Sequence, residues 1–343
     1  MSGVKIARIL AGSWRVDPPA VDFAESDLVV LEERLMASGA PALAWWRIRR
    51  DTHLAQTDVG QRLRESYKLH ALHAKLHEAN IQVVVSALSS AGIEALLHKG
   101  WNAASMYPER ALRPFGDIDL WVRPEDRARA EAELARYPEG AYADIGNTEE
   151  LKGVPLEEAF ERSRVVLCGA VEVRVLSEED RLRTLALHFL KHGGWRPTWL
   201  CDVAVATENR ADDFDWEVCL TADPRTRDWV CATIALAGKL LGARIDETPA
   251  EGIDLPRWMI RAVLDEWNRA SPASKGVLLA PLPSPLHLAE FARGLRDRWP
   301  NPVLATLSAN ATFGHAPRLP LQVANVASRL SLKTRRLTRG PSS

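Results

Sequence analysis

Strand-type patterning is confined to one stretch of this chain, residues 93–176, and helix-type patterning fills both sides of it. Ile93–His98 (IEALLH) is a short apolar run followed at once by Lys99-Gly100, and reads as a strand ending in a tight turn. Asp117–Val122 (DIDLWV) alternates at first and is a second strand, and Gly140–Gly146 is a short third one. Val165–Leu176 holds two β-rich arms about Gly169, which predicts a hairpin. Trp101–Tyr107, Pro124–Arg136 and Leu156–Arg164 read as helices between the strands. Bunched strands with segregated helices predict an α+β fold with a small mixed sheet, not a doubly wound one.

The flanks set the domain boundaries. Residues 1–92 are expected to form an N-terminal helical segment, with helices over Asp27–Ala37, Ala42–Arg50 and Gln61–Ala91. In the last of these Leu63, Tyr67, Leu72, Leu76, Val83, Val84 and Leu88 lay an apolar stripe along one face, and Gly92 stops the helix. Residues 93–176 are the α/β core, and residues 177–300 a helical substrate or acceptor domain opened by Ser177 as N-cap, with acids in the first turn. Its helices are expected over 178–192, 197–208, 215–221, 226–242 and 255–270, then a loop marked by Pro272, Pro281, Pro283 and Pro285, then a helix over 286–298. Residues 301–343 are a basic tail with Arg318, Arg329, Lys333, Arg335, Arg336 and Arg339 and no acid, so the tail carries +6 and the rest −7 of a net −1.

Composition excludes several classes. The 343 residues are 46% hydrophobic and 26% charged, ordinary for a protein with a sizeable core. The four cysteines, Cys168, Cys201, Cys219 and Cys231, form no CxxC pair and point to a reducing compartment. Without a signal-peptide core or a long apolar run, a cytoplasmic location and no membrane partner are expected. The near-zero net charge does not indicate nucleic acid.

The chemistry concentrates at Gly116-Asp117-Ile118-Asp119-Leu120. Asp117 and Asp119 are i and i+2, which on a strand puts both carboxylates on one face. Held that close they repel unless a cation lies between them, and oxygen ligands without nearby His or Cys favour Mg²⁺ over zinc. A lone DxD is more often a solvated turn, but this one lies in an apolar run, where desolvating two acids without a function is costly. Upstream, Lys99-Gly100 places a point charge and a close-approaching backbone before a helix start, which suits phosphate. Read alone it is an ordinary solvated turn, and no Walker GxxxxGK is present. Arg110 and Arg113 precede the carboxylates and are further phosphate candidates.

The run LLHKGWNAASMYPERALRPFGDIDLWV resembles the polymerase-beta-like nucleotidyltransferase superfamily, and within it a bacterial family of uncharacterised nucleotidyltransferases. Lys99, Gly100, Tyr107, Arg113, Pro114, Gly116, Asp117, Ile118, Asp119 and Leu120 match that family's pattern residue by residue. Asn80–Leu97, Ser177-Glu178-Glu179-Asp180, His188, His192, Trp199 and Asp202 resemble its flanking motifs. The resemblance implies a sheet of that superfamily's type and transfer of a nucleoside monophosphate from a nucleoside triphosphate. Three carboxylates would clamp two Mg²⁺ ions, about 3.5–4 Å apart. One ion would activate an acceptor hydroxyl and the other hold the triphosphate, with in-line attack at the α-phosphorus and loss of pyrophosphate. Lys99, Gly100, Arg113 and Gly116 would hold the nucleotide.

Asp117 and Asp119 supply two of the carboxylates. The family's third lies in a later strand as Val-Asp-Leu-His-Trp. Tyr142-Ala143-Asp144-Ile145-Gly146-Asn147 keeps the acid and replaces His-Trp by Gly-Asn, so Asp144 is expected as the third ligand, with Glu172 in reserve. His188 and His192 have zinc spacing, but without HExxH a packing or acceptor role is the better reading. His70, His73 and His77 read as a solvated helical face. Asp202 fits a helix contact as well as a site role, most tryptophans fit the core, and the tail fits a solvated charge run. The expected activity is transfer of an NMP, AMP foremost with ATP as donor, to a hydroxyl or phosphate of a small molecule or peptide. The alternatives are a catalytically degenerate nucleotide-binding or toxin–antitoxin-like interaction protein, and a structural helical adaptor.

Overall fold

The computed structural model describes residues 2–221, 223–269 and 299–338. The proline loop at 272–285 and the helix expected over 286–298 lie outside them. Helices α1 (Ser2–Leu10), α2 (Glu25–Ala37), α3 (Pro41–Ile48) and α4 (Asp58–Ser90) come first. Strand β1 (Ala95–Leu97), the single turn α5 (Trp101–Ala104), β2 (Ile118–Val122), α6 (Arg127–Leu134), β3 (Ala143–Ile145), α7 (Leu156–Glu161), β4 (Arg164–Cys168) and β5 (Val171–Val175) follow. Then come α8 (Glu178–Lys191), α9 (Pro197–Glu208), α10 (Trp216–Leu220), α11 (Pro224–Leu241) and α12 (Arg257–Trp267), and two further helices at Pro302–Ser308 and Leu319–Thr338.

The fold is α+β, with five strands in the order β3-β2-β1-β5-β4. β1 runs antiparallel to β2 and parallel to β5, β2 runs parallel to β3, and β4–β5 is the expected hairpin, with Gly169 at φ +62° in its turn. Strand alternation sorts the side chains. Ile118, Leu120 and Val122 face one layer, with Leu97, Ile145 and Val173, against Ile81, Val84 and Leu88 of α4. Leu96 and Trp121 face the other, against Leu151, Phe160 and Leu176. Asp119 lies between Ile118 and Leu120 in β2 and so belongs to the second face.

Helix α4 starts at a Thr57 N-cap whose hydroxyl accepts from the Gly60 N–H, and ends before Gly92 at φ +70°. Its apolar stripe departs from the sequence expectation. Leu63, Val84 and Leu88 are buried, but Leu72 and Leu76 are 57% and 55% exposed. The helix packs first on α3 and later on the sheet and α6. Ala74 and Glu78 take the inward positions between, which turns Leu72 and Leu76 outward.

The N-terminal helices share one core with the C-terminal ones: Ile6, Leu10, Leu31 and Leu43 pack with Leu185, Leu200, Trp229 and Met259. α8 begins at Ser177, whose hydroxyl accepts from the Asp180 N–H as expected. Asp180, fully buried, is ion-paired to Arg162 at 3.0 Å and to Arg183, which ties the end of α7 to α8. No described helix is long and apolar enough to cross a membrane.

Candidate functional site

Where β1 ends, the chain must turn sharply to let β2 return beside it. Lys99-Gly100 makes that turn, with Gly100 at φ +52°, ψ −108°. A Cβ on Gly100 would lie 3.0 Å from the Asp117 carbonyl oxygen and 3.5 Å from Asp119 Oδ2. Glycine is required here for both backbone conformation and approach. Gly100→Ala is expected to cost about 1–3 kcal/mol and to push the Asp117 backbone outward. Thermal melts and nucleotide binding check this, and unchanged values in both would refute it. The helix after the turn, α5, is one turn long, not the Trp101–Tyr107 expected. A dipole effect on phosphate is correspondingly small, and what the turn offers is backbone proximity.

Asp117 is exposed in the loop just before β2, which begins one residue later than expected, and Asp119 is half-buried on the second face of the sheet. Burial raises the Asp119 carboxyl above the usual range, against the opposing charges of Lys99 and Arg113. The parallel register sets Asp119 opposite Asp144 across β2 and β3. Opposed residues in a sheet share a face, so Asp144 is on the side of Asp119, and it is exposed. Glu172 is placed elsewhere. Arg174 of β5 is level with Leu96, so Glu172 lies level with Glu94, at the end of β1 away from Lys99.

Beneath the two aspartates lies a charge cluster. Lys99 Nζ is 3.6 Å from Asp119 Oδ1 and 3.2 Å from Glu150 Oε2. Glu150, buried, accepts from His188 Nδ1 at 3.1 Å and lies 3.6 Å from Lys191. Burial alone would raise the Glu150 carboxyl, but the His188 hydrogen bond and the Lys99 charge outweigh it and hold it well below the carboxylate range. Burial lowers the His188 pKa despite Glu150, which favours the neutral ring. Sequence reasoning missed Glu150, because Thr148-Glu149-Glu150 reads as a solvated acidic turn and only tertiary packing buries it.

Arg113 is placed differently from expectation. Its guanidinium is buried and donates from Nε and Nη2 to Asp202 Oδ2, both at 3.1 Å, while the Tyr107 hydroxyl donates to Asp202 Oδ1 at 2.7 Å. Three of the motif residues thus form one buried network under the loop that leads to Asp117, and the Arg113 charge is already matched. Arg110 is turned away to Glu78, at 2.8 Å. The histidines of α4 are less solvated than their spacing suggested. His73 is exposed, whereas His70 lines the site and His77 packs its ring against Phe115 and Tyr142.

These elements enclose a cavity of about 520 Å³ lined by Lys99, Gly100, Gly116, Asp117 and Asp119 on the sheet side, and by His188, His192, Arg196 and Trp199 opposite. His188, His192 and Trp199 are in mutual ring contact, centroids 4.5–4.7 Å apart, so the His pair packs on an indole as its sequence reading favoured. Among the described residues no three His, Cys, Asp or Glu side chains gather closely enough to hold a metal ion. The donors nonetheless suit Mg²⁺. They are hard carboxylate oxygens, open at Asp117, and Mg²⁺ is usually held by one or two carboxylates with phosphate and water filling the rest.

A model of a family described as "uncharacterised nucleotidyltransferase" matches residues 34–138 and 144–242, more than half of the chain. The matched segments include the Lys99-Gly100 turn, both aspartates of β2, Asp144 and the histidine–tryptophan wall. Comparison with curated proteins and with solved structures finds no match.

Proposed function

Since the chain belongs to the uncharacterised nucleotidyltransferase family, we propose that it moves a nucleoside monophosphate, AMP foremost, from a nucleoside triphosphate to a hydroxyl or phosphate of a small molecule or peptide. The observation that carries this reading is that Asp117 and Asp119 both line the wall of a cavity of nucleotide size, with Asp119 level with Asp144 across β2 and β3. Bound Mg²⁺ would screen the triphosphate charge and lower the pKa of a coordinated oxygen. Asp117 and Asp119 are the residues proposed to hold it, with Asp144, which does not gather with them in the unliganded chain, as a third ligand that must close on the ion. The Gly100 turn lets the phosphate tail approach the backbone, and Lys99 keeps the Asp119 carboxylate balanced until a stronger cation takes its place. The opposite wall, with His188, His192 and Trp199, is proposed to receive the acceptor. In the transfer the acceptor oxygen bonds to the α-phosphorus as the bond to the pyrophosphate oxygen breaks.

Incubation with α-labelled ATP, Mg²⁺ and a cell extract tests this. Label should pass to an acceptor with release of pyrophosphate, and Asp117→Ala should remove both. Equal labelling by the variant would sink the proposal. A second reading, nucleotide binding without turnover, draws on the Lys99 ammonium lying against Asp119. Calorimetry with Mg-ATP separates the two, because binding without pyrophosphate release favours the second.

A further inference from the structure

Three Lys or Arg side chains line the cavity, and two are ion-paired within the protein. Lys99 meets Asp119 and Glu150, and Arg113 meets Asp202. Arg196, half-buried, is different. Among the described residues no carboxylate lies within ion-pair distance of it, and its side chain makes no hydrogen bond. Its partners are the faces of Trp195 and Trp199, with ring centroids 5.0 Å and 5.2 Å from the guanidinium carbon. Its Nε is buried without a partner. We propose that Arg196 is the anion receptor of the cavity and binds a phosphoryl group, carried either by the tail of the nucleotide or by the acceptor.

The local chain explains the placement. Gly193 and Gly194 turn at φ +69° and +74° after α8, and Pro197 starts α9, so Arg196 projects from a short, constrained connection. Two indoles flank the guanidinium, and a planar fork of N–H donors of this kind suits phosphate oxygens. A partly desolvated cation whose opposing charge, Asp117, lies beyond ion-pair distance is only partly compensated, and an anionic ligand removes the remaining cost. The bland reading, an arginine solvated at its rim, predicts no selective anion affinity. The sequence signal was only Gly-Gly-Trp-Arg-Pro, which reads as a loop before a helix.

This inference rests on the nucleotidyl-transfer reading for its ligand class, but its test does not require turnover. The full chain is titrated calorimetrically in EDTA with inorganic tripolyphosphate, with phenyl phosphate and with adenosine. Arg196→Gln is expected to weaken phosphate binding about tenfold or more with adenosine unaffected, and Arg196→Lys to restore only part of it. Matching circular dichroism and melting curves show that the variants are folded. A loss confined to tripolyphosphate identifies the nucleotide tail, and one confined to phenyl phosphate identifies the acceptor. Wild-type affinity of Arg196→Gln for both anions, or no anion affinity in the wild type, overturns the proposal. Anion binding through Arg196 in a protein that releases no pyrophosphate would refute the transferase reading alone.

Discussion

Asp202→Ala is expected to destabilise the fold by about 3–5 kcal/mol, the usual result of breaking a buried ion pair from one side. Asp202 is 0% exposed and accepts from the Tyr107 hydroxyl and from two nitrogens of Arg113. Removing the carboxylate leaves a buried guanidinium without a counter-charge and a buried hydroxyl without its acceptor. For a chain of this size a melting temperature lower by roughly 4–7 °C follows. Asp202→Asn keeps an acceptor for Tyr107 and should lose less, and Tyr107→Phe, which removes one neutral donor, only about 1 kcal/mol. Arg113 also donates to the Pro114 carbonyl at 3.3 Å, three residues before Asp117. Nucleotide affinity of Asp202→Ala should therefore fall even below its melting temperature. A melting temperature within about 1 °C of wild type, roughly 0.7 kcal/mol, would show that the network does not hold the loop.

How much of this was legible in the sequence depends on the distance over which each feature is decided. The strands of 93–176, the N-caps Thr57 and Ser177 and the turn at Gly169 are local matters of period and capping, and Ser177 and Gly169 were readable in place. The i, i+2 spacing picked out Asp117 and Asp119, but β2 begins at Ile118, so strand geometry fixes the face of Asp119 and not that of Asp117. Partnerships across the fold were not readable. Arg113 looked like a phosphate ligand until a residue 89 positions later took its charge. Glu150 drew no notice, because nothing local reports that Lys99 and His188 will meet it. Arg196 went unremarked, since an unpaired charge is recognisable only when every neighbour that might have paired with it is known. The α4 stripe failed for a related reason. A 33-residue helix changes partners along its length, so one stripe does not describe it.

Asp119→Asn is expected to separate activity from stability. Pyrophosphate release should fall about a thousandfold, since losing one charged ligand at a phosphoryl-transfer site removes several kcal/mol of transition-state stabilisation. Stability of the metal-free protein should move the other way. Burial raises the Asp119 carboxyl, so the folded chain holds its proton more tightly than the unfolded chain does. The stability linked to that group is fully present below the unfolded value, about 3.9, and is lost as pH rises through the folded value. At neutral pH the ionised side chain therefore weighs against the folded state, with Lys99 at 3.6 Å offsetting part of the cost. Asparagine removes the charge, and Lys99 retains Glu150 at 3.2 Å. In EDTA at pH 7 the variant should melt no lower than wild type, and the difference should shrink as pH falls toward 4. A marked loss of stability at pH 7 would mean that Asp119 is a structural partner of Lys99. A half-buried carboxylate that costs stability where it stands, and whose loss removes only turnover, is what a site built to receive a cation requires.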